Sequence, residues 1–287
     1  MKRNNGYLEI NFDYNYQDLV DEGIISSLNR IKNSFYLNEN KLFFKEEDMI
    51  YYELVGSKIC KLLEIDCVSY DMAMINFRDV SYNGVISNDF REDGYKIINF
   101  DSIFADYLKD NVDVVYNEMN LGFIDKVLRY RYRDYQDSDK IVDSIMDKMK
   151  SYFLLDILIG NYDNGKYNYE IMENDRDALV CPYYDFGNTF SFKNTRFTCS
   201  DSKEYDIYIN LSEFLATCDN MYIDRFIYMY NNLTPDKLEE IFLEIEYEKD
   251  IILPDNFKNI LFLAYSRHYE KIGNIIVNYQ DDKSFVK

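Results

Sequence analysis

Gly160-Asn161-Tyr162-Asp163-Asn164-Gly165-Lys166-Tyr167-Asn168, and a little further on Pro182-Tyr183-Tyr184-Asp185-Phe186-Gly187, are the stretches on which the fold turns. The first is a polar loop at the end of an apolar run, Tyr152 to Gly160, and it offers an aspartate and, five residues later, an asparagine. A turn at Asn174-Asp175 and a short extended stretch then deliver another aspartate, followed by Phe-Gly.

Working outward, Ile141, Ile145, Met149, Tyr152 and Phe153 recur at helical spacing. They predict a helix that stops at Gly160, the residue best able to take the left-handed conformation at a helix end. Thr234-Pro235 supplies an N-cap and a proline at the first helical position, with Leu238, Ile241, Phe242 and Ile245 as the apolar stripe. Phe257, Ile260, Leu261 and Ala264 mark the last helix. The acidic run Glu239 to Asp250 reads as the solvated face of an amphipathic helix.

The first hundred residues follow a different period. Leu8, Ile10 and Phe12 alternate with polar residues, as do Val68, Tyr70, Met72 and Met74, which predicts half-buried strands. Leu42-Phe43-Phe44-Lys45 is a short apolar strand, and from Asp48 a helix runs through Tyr51, Val55, Ile59 and Leu62 to about Glu64. Asn83-Gly84 reads as a turn ahead of a short strand at Val85-Ile86. The layout is α+β in two lobes: a small mixed α/β lobe over 1–98, an antiparallel sheet plus one helix, and a larger, mainly helical lobe over 99–287.

Composition limits what such a chain can bind. Its 32 Lys+Arg against 52 Asp+Glu leave a formal charge of −20, which repels phosphate backbones and anionic lipid and argues against direct nucleic-acid or membrane partners. With 47% hydrophobic residues the chain can bury a sizeable core and is not a disordered acidic tail. No apolar run reaches the ~20 residues that span a bilayer, and no apolar stretch follows the basic start at Met1 to Gly6, so a cytoplasmic protein is expected. Cys60, Cys67, Cys181, Cys199 and Cys218 have unrelated spacings, with His268 as the single histidine. They read as reduced, mostly buried thiols rather than a zinc site.

Phosphoryl transfer from a nucleotide needs a carboxylate to take the proton of the acceptor hydroxyl and hard oxygen ligands to hold magnesium against the phosphates. Asp163, Asn168 and Asp185 supply that set. The spacing Asp-x-x-x-x-Asn and the triplet Asp-Phe-Gly match the catalytic loop and metal-binding triplet of protein kinases. Taken singly, Asp163 and Asn168 are better read as turn formers in a polar loop. The upstream lobe strengthens the case: Lys45 ends an apolar strand and Glu53 lies about one turn into the next helix, the arrangement in which a carboxylate orients a phosphate-binding lysine. Lys41 competes with Lys45 for that role, and a solvated strand-end lysine is the plainer reading of Lys45.

These residues resemble those of the HipA-like kinases, which include the HipA-type toxin kinases of bacterial toxin–antitoxin systems and a related proinflammatory kinase type. Leu42-Phe43-Phe44-Lys45 with Tyr52-Glu53-Leu54-Val55 is similar to the family's strand and helix carrying the phosphate lysine and its glutamate. Gly84-Val85-Ile86-Ser87-Asn88-Asp89-Phe90 is similar to its Gly-Val-Ile-Ser strand. Asp156-Ile157-Leu158-Ile159-Gly160-Asn161-Tyr162-Asp163 and Pro182-Tyr183-Tyr184-Asp185-Phe186-Gly187-Asn188 are similar to its catalytic-loop and metal-binding signatures.

The resemblance implies an ATP- and Mg2+-dependent serine/threonine protein kinase. Asp163 would be the base, Asn168 and Asp185 the metal ligands, Lys45 the phosphate contact and Glu53 its holder. It also implies an antitoxin-type protein partner beside the protein substrate. Two departures stand out. Asp163-Asn164-Gly165 lacks the histidine of the family's Asp-Arg-His or Asp-Asp-His, and 23–29, with Ser26 and Ser27 as candidate phosphate donors, is not glycine-rich. A protein-binding pseudokinase and a small-molecule kinase are the competing readings. Thr189 to Ser202, rich in hydroxyls, occupies the place of an activation segment or of an ordinary surface loop. His268, on the apolar face of the last helix, reads as a hydrogen-bonded core-edge residue, and Tyr183 and Tyr184 as packing groups with a polar tip.

Overall fold

A computed structural model gives the fold and describes residues 3–13, 32–37, 40–46, 50–91, 93–110, 121–161, 169–187, 189–190, 211–212, 214–216 and 218–284. The chain forms two compact units, 1–90 with 236–260 and 91–235 with 261–287.

In the first unit the alternating segments become a six-stranded sheet of order β1-β2-β5-β6-β4-β3. Its strands are β1 (Arg3–Asn4), β2 (Tyr7–Asn11), β3 (Lys32–Leu37), β4 (Asn40–Glu46), β5 (Asp71–Asn76) and β6 (Ser81–Asn88). All pairs are antiparallel except β2 with β5. That exception departs from the antiparallel sheet expected, because β5 is reached only after β3, β4 and helix α1 (Ile50–Leu62), a crossover long enough to return the chain in the same direction. Ile10, Leu42, Phe44, Ala73, Ile75, Phe77 and Ile86 form the sheet's core.

Asn83-Gly84 is not a turn but lies inside β6, where Gly84 sits opposite Glu46 and Ala73. A Cβ there would come within 2.3 Å of the Lys45 carbonyl oxygen and 2.6 Å of the Phe44 ring. The glycine serves close approach to β4, not chain reversal. Gly84→Ala must therefore shift the strand that bears Lys45. It is expected to cost about 1–3 kcal/mol by overpacking, read as a lowered denaturant midpoint at unchanged slope.

Residues 236–260, assigned from the sequence to the helical lobe, pack instead with the first unit. They comprise α6 (Pro235–Lys249), save its first residue, and the start of α7 (Asp255–Ser284). The ties are long-range. Lys58 of α1 pairs with Glu248 and approaches Glu244 at 3.9 Å, and Lys249 pairs with Asp71 at 2.9 Å. The Phe257 ring packs on Tyr52 and Tyr51 at 5.0 and 5.4 Å.

The second unit holds an antiparallel sheet of β7 (Lys96–Asn99), β8 (Glu170–Glu173) and β9 (Ala178–Val180). Helices α2 (Phe100–Asp110), α3 (Leu121–Tyr132), α4 (Ser138–Ile159) and α5 (Asn220–Asn232) accompany it. Buried Glu173 accepts two hydrogen bonds from Arg131, at 2.8 and 2.6 Å, and one from the Tyr132 hydroxyl at 2.9 Å, which ties α3 to β8. Every residue of α4 from Ser151 to Ile159 is buried, and the helix ends where expected, with Gly160 at φ 62°. No helix among the described residues is long and apolar enough to cross a membrane. Cys60 and Cys181 are buried free thiols, and burial pushes Cys181 up to about 12; Cys199 lies outside the described residues.

His268 of α7 is buried, and its Nε2–H donates to the Ile157 carbonyl at 2.7 Å, satisfying one of the orphan carbonyls at the end of α4. Burial pushes its imidazole down to about 4. In the unfolded chain the ring binds its proton near pH 6.5, so stability falls as pH drops from there toward 4. Between pH 7 and pH 5 the wild type should lose about 2 kcal/mol more than His268→Gln, which keeps an N–H donor but does not titrate. Denaturant titrations at the two pH values measure the difference.

Candidate active site

Alternation along β4 sends Phe44 into the sheet core and Lys45 to the opposite face. Glu53 stands in the first turn of α1, where a carboxylate is favoured by the helix dipole. The Lys45 Nζ donates to Glu53 Oε1 at 2.7 Å. Glu53 is 0% exposed and the lysine side chain 18%, so the carboxylate is fully withdrawn from water while the lysine side chain keeps some access. A carboxylate so buried is tolerable only when paired. Lys45 is thus the lysine that meets Glu53; the side chain of Lys41 lies outside the described residues.

Asp185 belongs to the second unit, half-buried, with φ 67°. Aspartate is among the few residues that enter the left-handed region readily, and such conformations cluster at functional sites. The segment beyond it is pinned. Phe186 is wholly buried against Tyr183, with ring centroids 5.1 Å apart. Both the backbone N–H and the hydroxyl of Thr189 donate to the Phe186 carbonyl, at 3.0 and 2.9 Å, and Phe190 N–H donates to the Ile159 carbonyl at 2.8 Å.

A polar cluster lies beneath this segment. Asp156, only 4% exposed, accepts hydrogen bonds from the hydroxyls of Tyr169 and Tyr183. The Asn161 Nδ2 donates to the Tyr183 hydroxyl at 2.8 Å, while its Oδ1 is buried without a partner among the described residues. Burial beside the Asp156 carboxylate holds the Tyr183 phenol far above its ordinary range. None of these four was singled out as a site residue. The signal was Asp156 itself, a lone charge within an otherwise apolar run.

Of the residues expected to form a site, Lys45 and Glu53 are brought together in the first unit and Asp185 stands in the second. Asp163, Asn168, Ser26 and Ser27 lie outside the described residues, as does 191–202. Among the described residues no group of three His, Cys, Asp or Glu side chains gathers to hold a metal.

No protein-family model matches the chain, and no curated protein matches its sequence. Solved structures do match. The Helicobacter pylori proinflammatory kinase CtkA aligns over 90% of this chain and 94% of its own, with a TM-score of 0.63 at 14% identity. A chain of the Shewanella oneidensis MR-1 toxin–antitoxin complex of HipA, HipB and operator DNA aligns over 89% of this chain and 66% of its own, with a TM-score of 0.57 at 13% identity. At these identities the likeness is one of fold, and the fold of this chain is that of the HipA-like kinases.

Proposed function

We propose that the protein is an ATP- and Mg2+-dependent phosphotransferase that transfers the γ-phosphoryl group to serine or threonine hydroxyls of a protein substrate, with its own hydroxyls as further acceptors. The observation that carries this reading is the Lys45–Glu53 pair: a fully buried glutamate holding a partly accessible lysine on a chain with the HipA-like kinase fold.

The donor set fits magnesium. That ion is held by one or two carboxylates together with substrate phosphates rather than by an all-protein cage, which suits the carboxylate of Asp185 with Asn168 beside it. When bound, the metal would neutralise phosphate charge. Lys45 would contact the phosphates, with Glu53 fixing its ammonium, and Ser26 and Ser27 would donate to them. The Asp163 carboxylate would take the proton of the acceptor hydroxyl. At −20 the chain must hold a polyanionic nucleotide locally, through these few groups.

An antitoxin-type partner and a toxin–antitoxin role are proposed on the HipA–HipB neighbour alone. Incubation with γ-labelled ATP and magnesium should label the protein or an added protein acceptor, and Asp163→Ala should lose at least 100-fold of that transfer with its circular dichroism unchanged. Equal labelling by the variant would overturn the mechanism. Gly165 in place of the family's histidine favours a second reading, a pseudokinase that binds a protein partner. A magnesium-dependent thermal shift with ATP but no transfer would select it.

A further inference from the structure

We propose that Asp156 is a positioning residue whose buried carboxylate, shared by the hydroxyls of Tyr169 and Tyr183, latches both ends of the segment 161–169 to the segment that carries Asp185. The inference rests on the phosphotransferase reading for its consequence, not for its geometry.

A lone carboxylate in a helix end buried from Ser151 to Ile159 is a poor choice for stability, since an apolar residue of similar volume would pack there without desolvating a charge. What Asp156 does that leucine cannot is join segments far apart in sequence. Its side chain accepts from Tyr169, the first described residue after 162–168, and from Tyr183, two residues before Asp185. Its own carbonyl accepts the N–H groups of Gly160 and, at 3.0 Å, Asn161, the last described residue before 162–168. The Asn161 side chain closes the ring by donating to Tyr183. One residue therefore grips both flanks of the stretch that holds Asp163 and Asn168, and the segment that holds Asp185.

The two phenols cannot swing freely. Tyr183 packs edge-on to Tyr152 at 5.2 Å and against Phe186 at 5.1 Å, and Tyr169 meets Phe153 at 5.2 Å. Tyr152 in turn donates its hydroxyl to the Cys181 carbonyl at 3.1 Å, fixing the approach to Tyr183. His268 and Phe190 satisfy the carbonyls of Ile157 and Ile159, so the helix end that bears Asp156 is itself held. Tyr183, which the sequence presents as a packing group with a polar tip, thus uses that tip to hold Asp156. A displacement of about 1 Å between proton acceptor and metal ligand is enough to cost on the order of 100-fold in rate.

Asp156→Ala takes the shared acceptor away from two tyrosine hydroxyls and endangers the fold itself, so the test uses Tyr169→Phe and Tyr183→Phe in the full chain, well below the melting temperature. Amide hydrogen exchange is followed in peptides covering 160–169 and 182–190, alongside kcat and the KM for ATP. The latch predicts that each substitution speeds exchange in both peptides, the distant one included. It also predicts that kcat per folded molecule falls tenfold or more while KM stays within twofold. Faster exchange confined to the peptide that carries the substitution, or an unchanged kcat, would overturn it. If the wild type transfers no phosphoryl group, the phosphotransferase reading fails on its own and the exchange pattern alone decides the latch.

Discussion

Lys45→Met should abolish phosphoryl transfer and destabilise the first unit, and adding Glu53→Gln should restore the stability without restoring the activity. The two effects have different origins. Stability suffers because Glu53 is fully buried and Lys45 is its ion-pair partner at 2.7 Å. Removing the lysine leaves a carboxylate in a low-dielectric site, a change that costs about 3–5 kcal/mol when one member of a buried pair is deleted. Neutralising that carboxylate as well removes the buried charge that has lost its lysine, and the methionine stem fills much of the space of the lysine stem. Activity suffers because the ammonium itself would meet the phosphates, and no neutral side chain replaces a charge aimed at the place where negative charge develops. The expected pattern is a low denaturant midpoint for Lys45→Met and a near-normal one for the double variant. Both should transfer at least 100-fold more slowly than wild type. Glu53→Gln alone should lower transfer less, since the lysine remains but loses its orienting charge. Wild-type transfer by the double variant would remove Lys45 from the mechanism.

The residues of that pair were legible because both belong to local patterns: a short apolar strand and a helix with a carboxylate in its first turn. The end of α4 was legible for the same reason, Gly160 being placed by its own backbone preference. What could not be read depends on partners distant in sequence. Asn83-Gly84 carries a strong turn signal, and only the Lys45 carbonyl, packed against Gly84 across the sheet, explains why a glycine sits mid-strand. The helix α6 looks like any amphipathic helix of the second unit. The Lys58–Glu248 and Lys249–Asp71 pairs that draw 236–260 into the first unit span 190 and 178 positions. Asp156 was visible as a charge in an apolar run, but its two tyrosine partners follow it by 13 and 27 residues in a chain with 29 tyrosines, and nothing local distinguishes them.

Asp185 admits a cleaner separation of charge from conformation than its neighbours, because its backbone is left-handed at φ 67°. Asparagine tolerates that region about as well as aspartate, whereas alanine there is strained by roughly 1–2 kcal/mol. Asp185→Asn should therefore keep the melting temperature of the wild type and Asp185→Ala should lower it. If Asp185 holds magnesium, the two variants should nonetheless lose transfer alike, by 100-fold or more, because the hard anionic oxygen is absent from both. The same reasoning fixes the response to metal. A chain of net charge −20 that relies on Asp185 to seat the metal should bind ATP poorly when a chelator removes magnesium. In calorimetry the wild type should lose most of its ATP affinity on chelation, and Asp185→Asn should bind weakly with or without the ion. Asp185→Asn with wild-type transfer, or with ATP binding that still responds fully to magnesium, would place the metal elsewhere. A variant that keeps its fold, loses the magnesium response and loses transfer together is the result that ties the left-handed aspartate to the chemistry.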